Sequence, residues 1–330
     1  MIETLTHAYA PLLIWTGLGL LLFNFLPANF PKLLGKSLYW FGVPIQIFVL
    51  ARQTEFSDGA RIVPVLTIAI VLLSIGLAWL TWELLKWLTN QKEPKPNWLE
   101  KFGLNSSFFK FNFSDRSVQG SFILAAMLGN TGFVGLAITS NIISAENTNW
   151  AVLFSVTNNV ISTYGIAVFI ASYFGHSETK TNLWILLRDV ITVPSLWAFA
   201  LGFFTQNIEI TPTIESGLNI AVWVVIAAAL ILVGVRLRSL RGYQSLKLAL
   251  IPSFIKVILV PLLVGLIATY FGLTGEPRFI LVLMAGTPTA LAVLILAEVY
   301  ELDRELLASN IAMTTVGLLF ALPMWLIFFA

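Results

Sequence analysis

The chain has 330 residues, 58% of them hydrophobic and 11% charged, with a net charge of +2 and a mean hydropathy of +0.86. So apolar a composition excludes a water-soluble domain of this size, and the weak, unclustered positive balance excludes a nucleic-acid partner. With no cysteine in the sequence, a disulfide framework, a thiolate metal site and a cysteine nucleophile are excluded as well.

A membrane-crossing helix needs about 20 mostly apolar residues, and the sequence predicts ten. The first, Tyr9 to Leu26, follows no basic leader and runs apolar too long for a cleaved signal peptide, so it reads as a span. The second and third are Leu38 to Ala51 and Ile62 to Trp87. A polar stretch, Thr89 to Gly120, comes next; Pro94 and Pro96 stiffen its start. In its "FFKFNF", Phe109, Phe111 and Phe113 alternate with Lys110 and Asn112, as in a segment lying along the headgroup boundary. Spans four and five are Ser117 to Asn141 and Trp150 to Phe174. The remaining five are Leu183 to Phe204, Leu218 to Leu237, Leu248 to Phe271, Arg278 to Val299 and Leu306 to Ala330. Cytoplasmic loops carry the excess of Lys and Arg. With the N-terminus outside, they hold nearly all of the 19 basic residues, leaving Arg52, Arg61 and Arg278 outside and Lys256 within span eight. The expectation is an integral protein of the cell (plasma) membrane with both termini extracytoplasmic.

Span four is interrupted by "LGNTG" (128 to 132), where Asn130 and Thr131 lie between Gly129 and Gly132. Span nine is interrupted by "AGTPT" (285 to 289), with Gly286, Thr287, Pro288 and Thr289. Spans five and ten also align: "TNNVISTYGIAVF" (157 to 169) sets Asn159 against Asn310 of "ASNIAMTTVGLLF" (308 to 320). Five spans per copy would make the two copies antiparallel, so the sequence predicts an inverted repeat, 1–174 and 175–330. Broken helices survive in a bilayer only where they line protein or a watery cavity. Paired breaks near the midplane point to a binding site, and half-helix N-termini offer an anion free N–H groups and a positive dipole end. The candidate substrate-binding residues are therefore Gly129, Asn130, Thr131, Gly286, Thr287, Pro288, Thr289, Asn159 and Asn310. Glycines also serve close helix packing, and buried asparagines serve as interhelical glue.

"GNTGFVGLAI" (129 to 138) resembles the fourth-span motif of the auxin efflux carrier family, which includes plant auxin carriers and bacterial permeases for small organic acids. The stretch from Ala285 to Pro323 is similar to the family's ending, through Gly286, Pro288, Ala297, Tyr300, Asp303, Ala308, Ser309, Thr314, Thr315 and Pro323. The resemblance implies an all-α polytopic membrane protein of ten transmembrane helices, with crossed broken helices four and nine, like bile-acid symporters and sodium/proton antiporters. It also implies scaffold and core domains interleaved across both halves, and secondary transport by an elevator-like movement of the core. Two departures stand out. Leu136 and Ala137 take the place of a "GLP" seen in many relatives, and a short "GHSETKTN" replaces the long loop of the plant carriers. Auxin is therefore a poor substrate candidate.

Lys256 lies inside a span, left over from the loop count, and is a candidate for coupling or charge compensation, either buried or snorkelling along its stem. Glu298 and Asp303 are its candidate partners, while Arg188 and Asp189 read as interfacial and His7 and His176 as loop residues. No metalloprotease, nucleophile-elbow or P-loop motif is present, so an enzyme is not expected and no cofactor is called for. The leading expectation is a permease for a small organic anion such as a carboxylate, working in the lipid bilayer with protons as a candidate coupling ion and a homodimer left open. The alternative is a receptor that uses the same core to bind a ligand without turnover.

Overall fold

A computed structural model describes residues 2–27, 29–53, 58–90, 113–175, 184, 191–192, 194–238 and 244–330. Most of the polar stretch after span three, including Pro94, Pro96 and Lys110, lies outside the described residues, as do His176, Arg188 and Asp189. Phe113, expected at the headgroup boundary, is instead buried against Trp82 with ring centroids 5.2 Å apart.

The described residues are overwhelmingly helical. In the first half the helices are α1 (Ile2–Leu22), α2 (Phe30–Arg52), α3 (Val63–Asn90), α4 (Arg116–Met127), α5 (Leu136–Ile142) and α6 (Thr148–Phe174). In the second they are α7 (Pro194–Phe204), α8 (Pro212–Arg238), α9 (Leu246–Tyr270), α10 (Gly275–Ala285), α11 (Ala292–Tyr300) and α12 (Arg304–Phe329). Helices α2, α3, α6, α8, α9 and α12 are each long and apolar enough to cross a membrane. Trp79, Trp87, Phe169, Trp223, Phe254 and Ile327 are exposed on the outside, as suits side chains that meet lipid tails. π-helical turns widen α2 at Leu38–Gly42, α6 at Asn158–Ala167 and α9 at Ile255–Leu259.

Helix α1 lies along α8, and α7 along the second half of α2. Both contacts bring backbones together. A Cβ on Gly19 would run into the Ile231 carbonyl, and one on Gly234 into the Thr16 carbonyl, so only glycine permits this approach. At the other contact Gln206 donates to the Ala51 carbonyl at 2.7 Å, and Arg52 donates to the carbonyls of Thr205 and Ile208. Helix α3 packs on α4, α9 on α10, and the N-terminal part of α9 on α12.

Two helices are enclosed on all sides over their C-terminal parts. Every residue from Gly120 to Met127 of α4 is buried, as is every residue from Phe279 to Ala285 of α10. A helix that is apolar all round belongs in the interior, and burying both sets their C-terminal ends, where the interruptions begin, inside the protein. Outside the core, Glu276 at the start of α10 accepts hydrogen bonds from Ser144 and Asn147. Burial pushes its carboxyl upward, but these bonds outweigh that and hold it below the ordinary glutamate value.

Candidate functional site

Helix α4 ends because Leu128 turns to extended backbone, φ −83° and ψ 119°. The chain then runs antiparallel to the interruption after α10. Asn130 N donates to Pro288 O at 2.7 Å and Ala290 N donates to Leu128 O at 3.1 Å, on either side of the Gly129–Thr289 pair. Pro288 fits here because it contributes only a carbonyl, and its missing N–H is not required.

A helix leaves its last four carbonyls without intrahelical partners, and away from water each must find a donor. The end of α4 is satisfied largely by tertiary partners. Leu124 O accepts from Leu128 N, while Ala125 O accepts from Thr289 Oγ1 at 2.8 Å and from Asn310 Nδ2 at 3.1 Å. Met127 O accepts from Lys256 Nζ at 3.2 Å, Leu128 O from Ala290 N, and Gly129 O from Asn158 Nδ2 at 3.2 Å. Asn310 also donates to Thr289 Oγ1 at 2.6 Å and accepts from Ser253 Oγ at 2.8 Å. The half-helix after the first break starts with Asn130 as its cap: Oδ1 accepts from Phe133 N at 3.3 Å, and its backbone carbonyl accepts from Val134 and Gly135.

A cavity of about 440 Å³ lies against this pair. Its inner wall is the first interruption, Gly129, Asn130, Thr131 and Gly132, together with Ala290 to Ala292 at the start of α11. Tyr39 and Tyr164, 5.6 Å apart at their ring centroids, line its side with Trp40 and Phe133. Exposed Lys32, Lys36 and Glu298 mark its mouth, together with half-buried Arg236. Asn159 also lines it, and its Nδ2 is buried with no protein partner. Ser155 Oγ, one helical turn away, is likewise unpartnered; a Cβ on Gly132 would lie 3.5 Å from Asn159 Nδ2 and 3.8 Å from that oxygen.

The sequence candidates thus fall into two groups. Gly129, Asn130, Thr131 and Asn159 line the cavity. Gly286, Thr287, Pro288, Thr289 and Asn310 are outside its lining: Thr287 bonds back to Met284 O at 2.9 Å, and Thr289 and Asn310 hold the end of α4. A Cβ on Gly286 would strike the Trp325 ring, which makes this glycine a packing residue. Lys256 does not snorkel; it is 3% exposed, and neither Glu298 nor Asp303 pairs with it. Asp303 instead caps α12 by accepting from Leu306 N, and Glu298 lies 4.0 Å from Arg304. Sequence reasoning passed over Asn158, whose amide ties Gly129 O to Thr131 Oγ1, and the cationic residues of the mouth. The adjacent "NN" was the available signal for Asn158.

A family profile described as "Membrane transport protein" matches residues 102–326, more than half of the chain. An uncharacterized transporter of Methanocaldococcus jannaschii is 24% identical over 216 residues, which cover 65% of this chain and 70% of that protein. An uncharacterized transporter of Methanothermobacter thermautotrophicus is 26% identical over 232 residues, 69% of this chain and 70% of that protein. These comparisons speak for a membrane transporter and lend no support to the receptor alternative. With its interrupted helices paired inside an apolar helical protein, the chain belongs to the membrane transport protein family, the auxin efflux carriers that its motifs resemble.

Proposed function

We propose that the protein is a secondary transporter for small organic anions, carboxylates being the chemical class, working by elevator-type alternating access at the paired interruptions. The observation that carries this reading is the charge and donor content of the cavity. Its mouth holds Lys32, Lys36 and Arg236 against the single acid Glu298, and its inner wall offers Asn130 and the unpartnered Asn159 amide beside the start of a half-helix. Cations at the entrance draw anions in. Amide donors and a helix N-terminus stabilise a carboxylate where water is scarce. The aromatic wall suits an apolar body on the same solute.

Two features support ten crossings in two inverted halves. Counting α4 with α5 and α10 with α11 as interrupted spans, the helices amount to five per half. Exchanging the halves also maps contacts onto contacts: α1 on α8 becomes α7 on α2, and α3 on α4 becomes α9 on α10. The cavity wall draws on both groups. Lys32 to Val43, Ser195, Leu232 and Arg236 come from α2, α7 and α8, and the rest from the helices around the interruptions. A solute held between these groups would be carried when one slides on the other. Because the mouth residues sit on the side richer in Lys and Arg, the cavity in this conformation is read as open to the cytoplasm.

A thermal-unfolding screen of the purified protein tests the substrate class. Carboxylates that bind at 100 times their dissociation constant should stabilise the fold by about 2.7 kcal/mol, while amines and amides of the same shape should not. Stabilisation by amines alone would contradict the proposal.

A further inference from the structure

The ammonium of Lys256 sits in a place where a mobile cation would be expected. Half-helix C-termini and unwound carbonyls are the groups that hold coupling cations in transporters built from broken helices, because the C-terminal end of a helix dipole is negative. Here Lys256 Nζ donates to Met127 O, the last residue of α4, at 3.2 Å. The unwound chain passes directly beside it: a Cβ on Gly129 would lie 3.0 Å from Nζ and would also meet Thr287 Oγ1. That hydroxyl gives its own proton to Met284 O. The site is enclosed, with Lys256 3% exposed and Thr287 fully buried. Among the described residues no carboxylate is within ion-pairing distance of Lys256. An ammonium so placed is held by a backbone carbonyl at the negative end of a helix, as a bound monovalent cation is, and not by an ion pair.

We propose that Lys256 is a tethered cation occupying a monovalent-cation site at the end of α4, so that the interruption is held together without a bound sodium ion. The side chain supplies from α9 the charge that a diffusing ion would otherwise bring. Removing it should open a site that takes a small free cation. This inference shares the interruption with the transport reading but needs no solute, so each can fail alone.

The test uses Lys256→Ala purified in choline chloride and unfolded thermally, with sodium, ammonium, methylammonium or ethylammonium chloride substituted at constant ionic strength. Wild type should respond equally to all of these salts. Lys256→Ala should melt lower in choline and gain a saturable rise of about 2–4 °C with the small cations. Lys256→Gln, which keeps a donor for Met127 O but no charge, should stay destabilised and indifferent to the salt. A flat response of Lys256→Ala across the salts overturns the proposal, as does wild-type stability of Lys256→Gln. If Lys256→Ala cannot be purified in any salt, the glutamine variant decides on that second criterion.

Discussion

Asn130 has one role in the fold and a second, proposed one in binding. Its Oδ1 caps the half-helix through Phe133 N, and the residue lines the cavity beside Asn159. The two duties separate by substitution. Aspartate caps a helix as well as asparagine does, so Asn130→Asp should fold, yet it replaces an amide donor by a negative charge. A lost charge-assisted bond costs about 1.5–3 kcal/mol, and repulsion adds to it, so carboxylate affinity should fall about 100-fold or more. Asn130→Ala should lose both the cap and affinity. Titration of each variant by calorimetry checks this; unchanged affinity in Asn130→Asp would place the solute elsewhere. The same scale shows what the sequence could and could not reveal. Glycine, asparagine and proline inside apolar stretches advertised both interruptions. Which of Asn158 and Asn159 faces the cavity was hidden, because both belong to a ten-residue π-helical stretch, Asn158–Ala167, where a 3.6-residue wheel no longer assigns faces. Asn158 gives its amide to Gly129 O and Thr131 Oγ1, and Asn310 gives its amide to Ala125 O and Thr289 Oγ1, so both hold the first interruption and its surroundings together.

Helix α4 is an element whose hydrogen bonds are completed by others. The carbonyls at the end of α4 draw donors from α6, α9, α12 and the second interruption, so neither break is stable without the rest of the core. That is why the five candidates around Gly286 to Thr289 and Asn310 look like a binding site in sequence and lie outside the cavity lining in structure: polar residues at membrane depth are required by the backbone as much as by a ligand. The outer pairs depend on a different element-scale device, close backbone contact. Gly234→Ala would press a methyl group into the Thr16 carbonyl, whereas a Cβ on Gly217 of the same helix meets nothing within 4 Å. The first should destabilise by about 1–3 kcal/mol and the second by no more than the noise of the measurement. Thermal unfolding in one detergent checks both; equal effects would mean that α1 does not rest on α8 as described.

For the whole molecule, composition made a membrane protein plain and hydropathy marked apolar helices, six of them long enough to cross a membrane, but neither could say which helices lie together. The pairing of α1 with α8 and of α7 with α2 joins segments distant in sequence, through glycines that read as ordinary span residues. The cavity between these helices and the interrupted core brings cationic side chains from α2 and α8 to face a wall of amide donors. On the proposed reading, this arrangement moves small organic anions across the bilayer. The measurement that tests it most directly is counterflow in proteoliposomes: vesicles loaded with an unlabelled carboxylate, chosen by the thermal screen, take up the labelled acid from outside. The account predicts transient accumulation that Asn130→Asp abolishes while wild-type vesicles loaded with a matched amine show none. Accumulation of the amine, or tight binding of the carboxylate with no exchange at all, would contradict it.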